Sequence, residues 1–437
     1  MDMPISRLSA IGHKLASRSG ILELMDDLGI AMTVRPDLLM LGGGNPASVP
    51  LLQDFWREKM HGMLLSNGAG FDRMLLNYDP PQGNPEFLTA VARMFREQFG
   101  WDIGPEHVAV TTGAQSAVFC LFNILAGNCC DGRWRRILLP ITPEYIGYAD
   151  VGLDEDLFVA CKPILETTAT DPDRPRFRYH IDPEAIQTVL RTGNVGAIAV
   201  SRPSNPSSNV LSDEEIQQLD AFATQYDIPL LIDNAYGNPF PGIIFTPATT
   251  TWTDHRIHTF SLSKLGLPGT RTGIVIGPPQ IIELLQSMTA IIGLANGNIG
   301  QRLITPMFQS GEILQLGDLA LRQFYLERSQ FAQQILGDAF AGSGIPWSLH
   351  ESDGAFFLWL WLRNLPISSL ELYARLKERG VLIVPGEYFF YGLDEHSPEV
   401  EQWTHRRECV RISFTQPPEI VERGLRLIVD TVRELYG

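Results

Sequence analysis

Cysteine is scarce in this 437-residue chain: Cys120, Cys129, Cys130, Cys161 and Cys409 make five, an odd number. No CxxC pair occurs, and the adjacent Cys129 and Cys130 suit neither a disulfide between them nor zinc-ligand spacing. No metal site is read, and reduced thiols in a cytoplasmic protein are the expectation. Positive charge is short as well. With 34 Lys and Arg against 50 Asp and Glu the formal net charge is −16, so the basic face that non-specific nucleic-acid binding needs is missing. A local basic pocket for a small anion stays open. No stretch approaches the ~20 apolar residues of a membrane helix. The most apolar run, residues 356–362, is strand-length and bracketed by Asp353 and Arg363. The first twenty residues mix charges with apolar side chains and lack the hydrophobic segment of a signal peptide.

What is present, 44% hydrophobic and 19% charged residues, describes a soluble globular protein. The length exceeds one ordinary core, so two domains of unequal size are expected. Residues 1–37 read as an N-terminal arm with an amphipathic helical piece over 21–28, capped by Ser19. A short strand over 38–41 runs into Gly42, Gly43 and Gly44, then Asn45-Pro46. The GxGxxG spacing of a dinucleotide fingerprint fails here, so the glycines imply close backbone approach to something small.

An extended turn over 78–85 opens a helix at Glu86. Short apolar strands over 108–111, 137–140, 195–200, 230–232, 258–262 and 273–276 then alternate with helices over 116–125, 213–225 and 281–289. Ser212 and Glu215 form a capping box for the second of these helices. Such alternation predicts an α/β fold, a mostly parallel sheet covered by helices on both faces. Further on, one long helix over 314–340 is expected. A strand over 356–361, a helix over 370–379, strands over 381–384 and 410–414 and a closing helix over 418–435 form a smaller α/β domain. The expected division is 1–55 for the arm and part of the small domain, 56–310 for the large domain and 311–437 for the small one.

The chemistry gathers around Ser261-Leu262-Ser263-Lys264, with Arg271 seven positions beyond the lysine. A lysine just past an apolar run loses its proton more readily than a surface lysine, and then forms a Schiff base with a carbonyl compound. A lone loop lysine is otherwise a solvated charge, so its surroundings decide. Gly113-Ala114-Gln115 sits where a strand hands over to a helix, either an anion site or an ordinary tight turn. Arg271 and Ser261 flank the lysine and would complete a phosphate cradle. Asp233 ends a buried strand, either to pair with a protonated heteroaromatic nitrogen or to cap a helix at the strand–helix junction. Tyr236 lies three residues on. Asn205 either donates to an oxygen anion or forms a turn, and Tyr145 either stacks on a planar ring or packs. Ligands bind past the C-terminal ends of parallel strands, and these features gather there from five strands.

The ordered series YDPPQG, TTGAQ, PEYIGY, SNPSSN, DNAYG, SLSK with a following RTG, and VRISF resembles fold-type I pyridoxal-phosphate aminotransferases of the aspartate aminotransferase superfamily. The resemblance covers nearly the whole chain. It implies pyridoxal 5′-phosphate as cofactor, with Lys264 holding its aldehyde and later shuttling a proton to and from the substrate α-carbon. Asp233 would keep the ring nitrogen protonated, Asn205 and Tyr236 would hydrogen-bond the ring 3′-oxygen, and Tyr145 would stack on the ring. Gly113, the backbone of Ala114 and Gln115, Ser261 and Arg271 would hold the phosphate. Tyr78 would reach the phosphate of the other subunit, which implies a homodimer with composite sites. Arg411 would clamp the substrate carboxylate as a bidentate fork, with Asn205, Gly43 and Gly44 beside it. One position departs from the pattern: Ala114 replaces the usual hydroxyl residue, so phosphate binding leans on backbone N–H groups.

An acidic substrate side chain needs a second cation, and residues 288–298 contain none. Leu39, Met40 and Leu41 add apolar surface near the glycines. Small aliphatic substrates are therefore expected, valine or alanine with pyruvate or 2-oxoisovalerate. Other reactions on the same scaffold compete with this reading: transamination of other aliphatic or aromatic amino acids, β-elimination or decarboxylation. A ligand-sensing module fused to a DNA-binding domain is a further alternative, against which the acidic charge speaks.

Overall fold

The computed structural model describes residues 8–17, 19–33, 37–65, 69–171 and 173–437. Residues 1–7, 18 and 34–36 of the arm, with the N-terminal reading made on them, lie outside these. The strands, in chain order, begin with β1 (Leu39–Met40), β2 (Val108–Thr111), β3 (Gly127–Asn128), β4 (Trp134–Leu139) and β5 (Phe158–Ala160). Next come β6 (Ile164–Ala169), β7 (Arg176–His180), β8 (Val195–Ser201), β9 (Leu230–Asp233), β10 (Arg256–Ser261) and β11 (Gly273–Ile276). The last are β12 (Trp347–His350), β13 (Phe357–Leu362), β14 (Val381–Leu382), β15 (Val384–Pro385) and β16 (Cys409–Ser413).

The larger sheet runs β2-β11-β10-β9-β8-β4-β3, with β5 also on β4. Its middle, from β10 through β9 and β8 to β4 and β5, is parallel, while β11 runs antiparallel to both neighbours. Every residue of β8 and β9 is buried, as strands covered on both faces require. Successive side chains go to opposite layers. Ala197, Ala199 and Leu231 pack with Val118 and Leu121 of the helix Ala114–Leu125. Ile198, Val200, Leu230 and Ile232 pack with Ile216 and Leu219 of the helix Asp213–Tyr226. The expected capping box is formed: Ser212 Oγ accepts from Glu215 N–H, and Glu215 accepts from Ser212 N–H.

The second sheet runs β15-β16-β13-β12-β7-β6. Its outer hairpin, β6 with β7, comes from residues 164–180, where the sequence pattern predicts no strand. The alternation in ILETTA is polar and largely exposed because this is an edge strand. The helix expected over 314–340 is also different in detail. It begins as Glu312–Leu316, widens into a π-type turn over Gly317–Arg322 and resumes as Gln323–Phe340. The wide turn lies where Gly317 presses on Pro241, with a Cβ at that position only 2.6 Å from the Pro241 carbonyl oxygen.

The strand expected over 381–384 divides between two sheets. β14 pairs in parallel with β1, whereas β15 pairs antiparallel with β16. Near the N-terminus the helix spans Gly20–Thr33, longer than expected, and Ser19 Oγ accepts from Leu22 N–H at 3.2 Å. Among the described residues no helix is long and apolar enough to cross a membrane.

Candidate active site

A cavity of about 820 Å³ opens past the C-terminal ends of β8, β9 and β10. Parallel pairing aligns those ends: Ser201 of β8 is opposite Asp233 of β9, and Asp233 is opposite Thr259 of β10. Lys264 follows β10 on a single 3₁₀ turn, Leu262–Leu265, whose start is fixed by Ser261 Oγ accepting from Ser263 N–H. The Lys264 Nζ donates to Gly44 O at 2.6 Å and lies 5.2 Å from the Tyr236 ring centroid and 5.3 Å from that of Phe356. Lys264 is half-buried in the cavity wall. Desolvation, then the positive charges of Arg411 and Arg271, push its pKa down to about 7, against the opposing pull of Asp233. Near neutral pH a large share of Lys264 is therefore an uncharged nucleophile.

Asp233 is buried and accepts three hydrogen bonds. Tyr148 Oη donates to Oδ2 at 2.6 Å; Thr259 Oγ1 and Ala235 N–H each donate to Oδ1 at 2.9 Å. Burial raises its pKa, while these donors work in the opposite direction. Tyr236 is buried edge-on against Phe356 and Phe357. Tyr145 sits edge-to-face with Tyr148, ring centroids 5.2 Å apart.

Arg411, on β16, is a buried cation with no acidic partner among the described residues. Its Nη1 donates to Asn205 Oδ1 and its Nη2 to Gly42 O, both at 2.7 Å, and its Nε has no partner among the described residues. Phe357 lies under the guanidinium at 4.3 Å. Among the described residues no carboxylate is within ion-pair distance of it, and desolvation lowers its pKa to about 10. A buried guanidinium satisfied only by neutral oxygens is a receptor for an anion.

At the other end of the cavity the helix Ala114–Leu125 presents its first N–H groups beside Arg271. Gly113 is at φ +84°, a conformation that strains an L side chain, and a Cβ there would also displace the Arg271 guanidinium, whose Nη2 would lie 2.4 Å away. A helix N-terminus, a guanidinium and the Ser261 hydroxyl suit a phosphate.

The cavity wall unites Gly43, Gly44, Ala114, Gln115, Tyr145, Asn205, Asp233, Tyr236, Ser261, Lys264, Arg271 and Arg411. Gly113 stands just behind it as the helix N-cap. Tyr78 is outside it and 83% exposed. The apolar strand 38–41 contributes only Met40, since Leu39 and Leu41 alternate into the core. Of the glycines, Gly42 approaches the Ile383 carbonyl closely, a Cβ there lying 2.7 Å from that oxygen, while Gly43 and Gly44 face the cavity. Sequence reasoning missed Tyr148 and Thr259, which hold Asp233, and Phe356 beneath Lys264. The three-residue offset of Tyr148 from Tyr145 was a usable signal for the first; for Thr259 only strand register supplies one.

The model of the class I and II aminotransferase family matches residues 158–428. The valine–pyruvate aminotransferase of Escherichia coli is 44% identical over 98% of this chain and 99% of its own. A crystal structure of an amino-acid aminotransferase from Psychrobacter arcticum superposes with a TM-score of 0.93 at 40% identity, covering 98% of this chain and 99% of that one. The valine–pyruvate aminotransferase structure from Salmonella typhimurium gives 0.83 at 41% identity, over 95% and 99%. The chain belongs to the class I and II aminotransferases. It is an enzyme that moves amino groups, and its cofactor is pyridoxal 5′-phosphate.

Proposed function

We propose that the chain transfers the α-amino group between a small aliphatic amino acid, valine or alanine, and a 2-oxo acid, pyruvate or 2-oxoisovalerate. The observation that carries the reading is Arg411: a buried fork with no acid of its own among the described residues, facing the same cavity as the Lys264 amine. Such a pair takes the carboxylate of an α-amino acid while leaving its α-carbon near Nζ. Pyridoxal phosphate, when bound, supplies a carbonyl and an electron-accepting ring. The cradle of Ala114, Gln115, Ser261 and Arg271 would hold its phosphate, and Asp233 would hold a proton at its ring nitrogen. Asn205 and Tyr236 would bind its phenolic oxygen, and Tyr145 would cover its face. Lys264 Nζ would bind the carbonyl carbon, then accept and return the substrate α-proton.

The rest of the wall supports an aliphatic side chain. Ile21, Leu24, Met40 and Ile383 line it, and the cations among its described residues are Lys264, Arg271 and Arg411, each already engaged. An acidic side chain would therefore be left unpaired. The E. coli and Salmonella relatives bear the name valine–pyruvate aminotransferase, which supports the same choice. Incubated with L-valine and no 2-oxo acid, the loaded enzyme is expected to convert one equivalent of cofactor to its amine form and release 2-oxoisovalerate. Faster conversion by aspartate or glutamate than by valine or alanine refutes the substrate; continuous release of ammonia or CO₂ refutes transamination.

We also infer a cytoplasmic homodimer. Leu75, Leu76, Tyr78, Ile291, Ile292 and Leu294 are large and exposed, the kind of surface a second copy covers. Tyr78 would then complete the partner's phosphate cradle. The five unpaired cysteines suit a reducing compartment. Sedimentation at the mass of one 48.7 kDa chain would rule out the dimer.

A further inference from the structure

Glu144 is buried completely, yet among the described residues no lysine, arginine or histidine forms an ion pair with it. Three donors satisfy it instead. Tyr145 N–H donates to Oε1 at 2.7 Å and Ser201 N–H to Oε2 at 2.9 Å, and the Ser201 hydroxyl makes a short hydrogen bond to Oε1. Burial raises the pKa of Glu144 to about 7, with the Asp233 charge adding to the rise and the three donors opposing it. Isolated buried carboxylates are costly, and an apolar residue would fill the same volume at less cost. What this carboxylate joins is therefore informative.

Its donors come from two different parts of the cavity wall. Tyr145 is the aromatic at the ring face, and the same loop carries Tyr148, which donates to Asp233. Ser201 is the last residue of β8, directly opposite Asp233 in register, and the next residue's N–H donates to the Asp233 carbonyl at 2.9 Å. Asn205, which holds Arg411, is four residues further along. One carboxylate thus fastens the aromatic loop to the strand end beside the acid.

We propose that Glu144 is a positioning residue for the cofactor site, clamping the Tyr145–Tyr148 loop to Ser201 so that the ring-face aromatic and Asp233 keep one fixed separation. It touches neither substrate nor cofactor and acts through Tyr145, Tyr148 and the β8–β9 register. The inference rests on the pyridoxal-phosphate reading of this cavity.

Glu144→Gln tests it. An amide offers one acceptor oxygen, so its NH₂ must face either Tyr145 N–H or Ser201 N–H, donor against donor. The dissociation constant for pyridoxal phosphate is expected to rise roughly ten- to hundred-fold. The induced circular dichroism of the bound cofactor, which reports its seating against Tyr145, is expected to weaken. Ser201→Ala removes one donor and leaves Glu144 two; it should weaken the dichroism and raise the dissociation constant several-fold. The double variant is expected to lose much less than the product of the single losses, because both break one clamp.

Affinity and dichroism in Glu144→Gln within twofold of the parent overturn the proposal, even if the cofactor-free variant melts earlier, since that marks a purely structural role. Single losses that multiply independently also overturn it. If Glu144→Gln does not fold, Ser201→Ala decides with the same two readouts, unchanged values counting against the clamp. A parent chain that binds no pyridoxal phosphate overturns both this proposal and the functional reading. A parent that binds it and a Glu144→Gln that binds equally well sink the clamp alone.

Discussion

Lys264→Ala is expected to reduce kcat/KM for transamination by at least about 10⁴-fold, because the same nitrogen both binds the carbonyl carbon and carries the α-proton. The variant should still take up pyridoxal phosphate through the Arg271 cradle and Asp233, but without the absorbance of a lysine-bound cofactor. In the parent chain that absorbance should appear faster as pH rises through about 7, where Lys264 loses its proton. Chemistry sets the direction: burial and two neighbouring guanidinium groups lower the pKa, and only the neutral amine attacks. A Lys264→Ala protein with an unchanged spectrum would place the reactive amine elsewhere. A capture rate independent of pH between 6 and 8 would mean that the amine is not held as described.

Arg411→Lys is expected to lower kcat/KM for valine roughly 10²–10³-fold, mainly through KM, although the positive charge is kept. A lysine has no planar fork. It cannot hold Asn205 Oδ1 and Gly42 O and also present paired N–H groups to a carboxylate. The comparison that separates this from general damage uses isobutylamine, valine without its carboxylate, as amino donor. Its slow reaction should change little, so the preference for valine over the amine collapses. A KM for valine within threefold of the parent would show that another group binds the carboxylate.

Much of the site could be read in the sequence because it is written at the ends of short buried strands. Asp233, Ser261 and Asn205 follow apolar runs whose boundaries are sharp, and Lys264 and Arg271 are fixed by short spacing from one of them. What stayed hidden depends on pairing across strands. Thr259 supports Asp233 only because β9 and β10 align in one particular register, and Glu144 finds Ser201 across 57 positions of sequence. No local pattern encodes either contact. The fold was legible to a similar depth. Gly273–Ile276 reads as a strand, but its antiparallel direction is set by the tertiary arrangement. The helix Asn298–Ser310 is hidden because Pro306 stands inside it, where a proline ordinarily argues against helix. β6 and β7 are rich in Thr, Glu and Arg, and without knowing which sheet edge they join their alternation reads as loop.

The carbonyls of Gly42 and Gly44 accept from Arg411 Nη2 and Lys264 Nζ. One short piece of backbone thereby acts as a gauge, setting the gap between the group that grips a carboxylate and the group that receives an amine. Because the gauge is made of main-chain oxygens, exchanging side chains around the cavity leaves its length alone. Variation at Ile21, Leu24 or Met40 can thus retune which side chain is accepted while the enzyme continues to measure the same amine-to-carboxylate distance. Inserting or deleting a residue between Gly42 and Gly44 would recalibrate it.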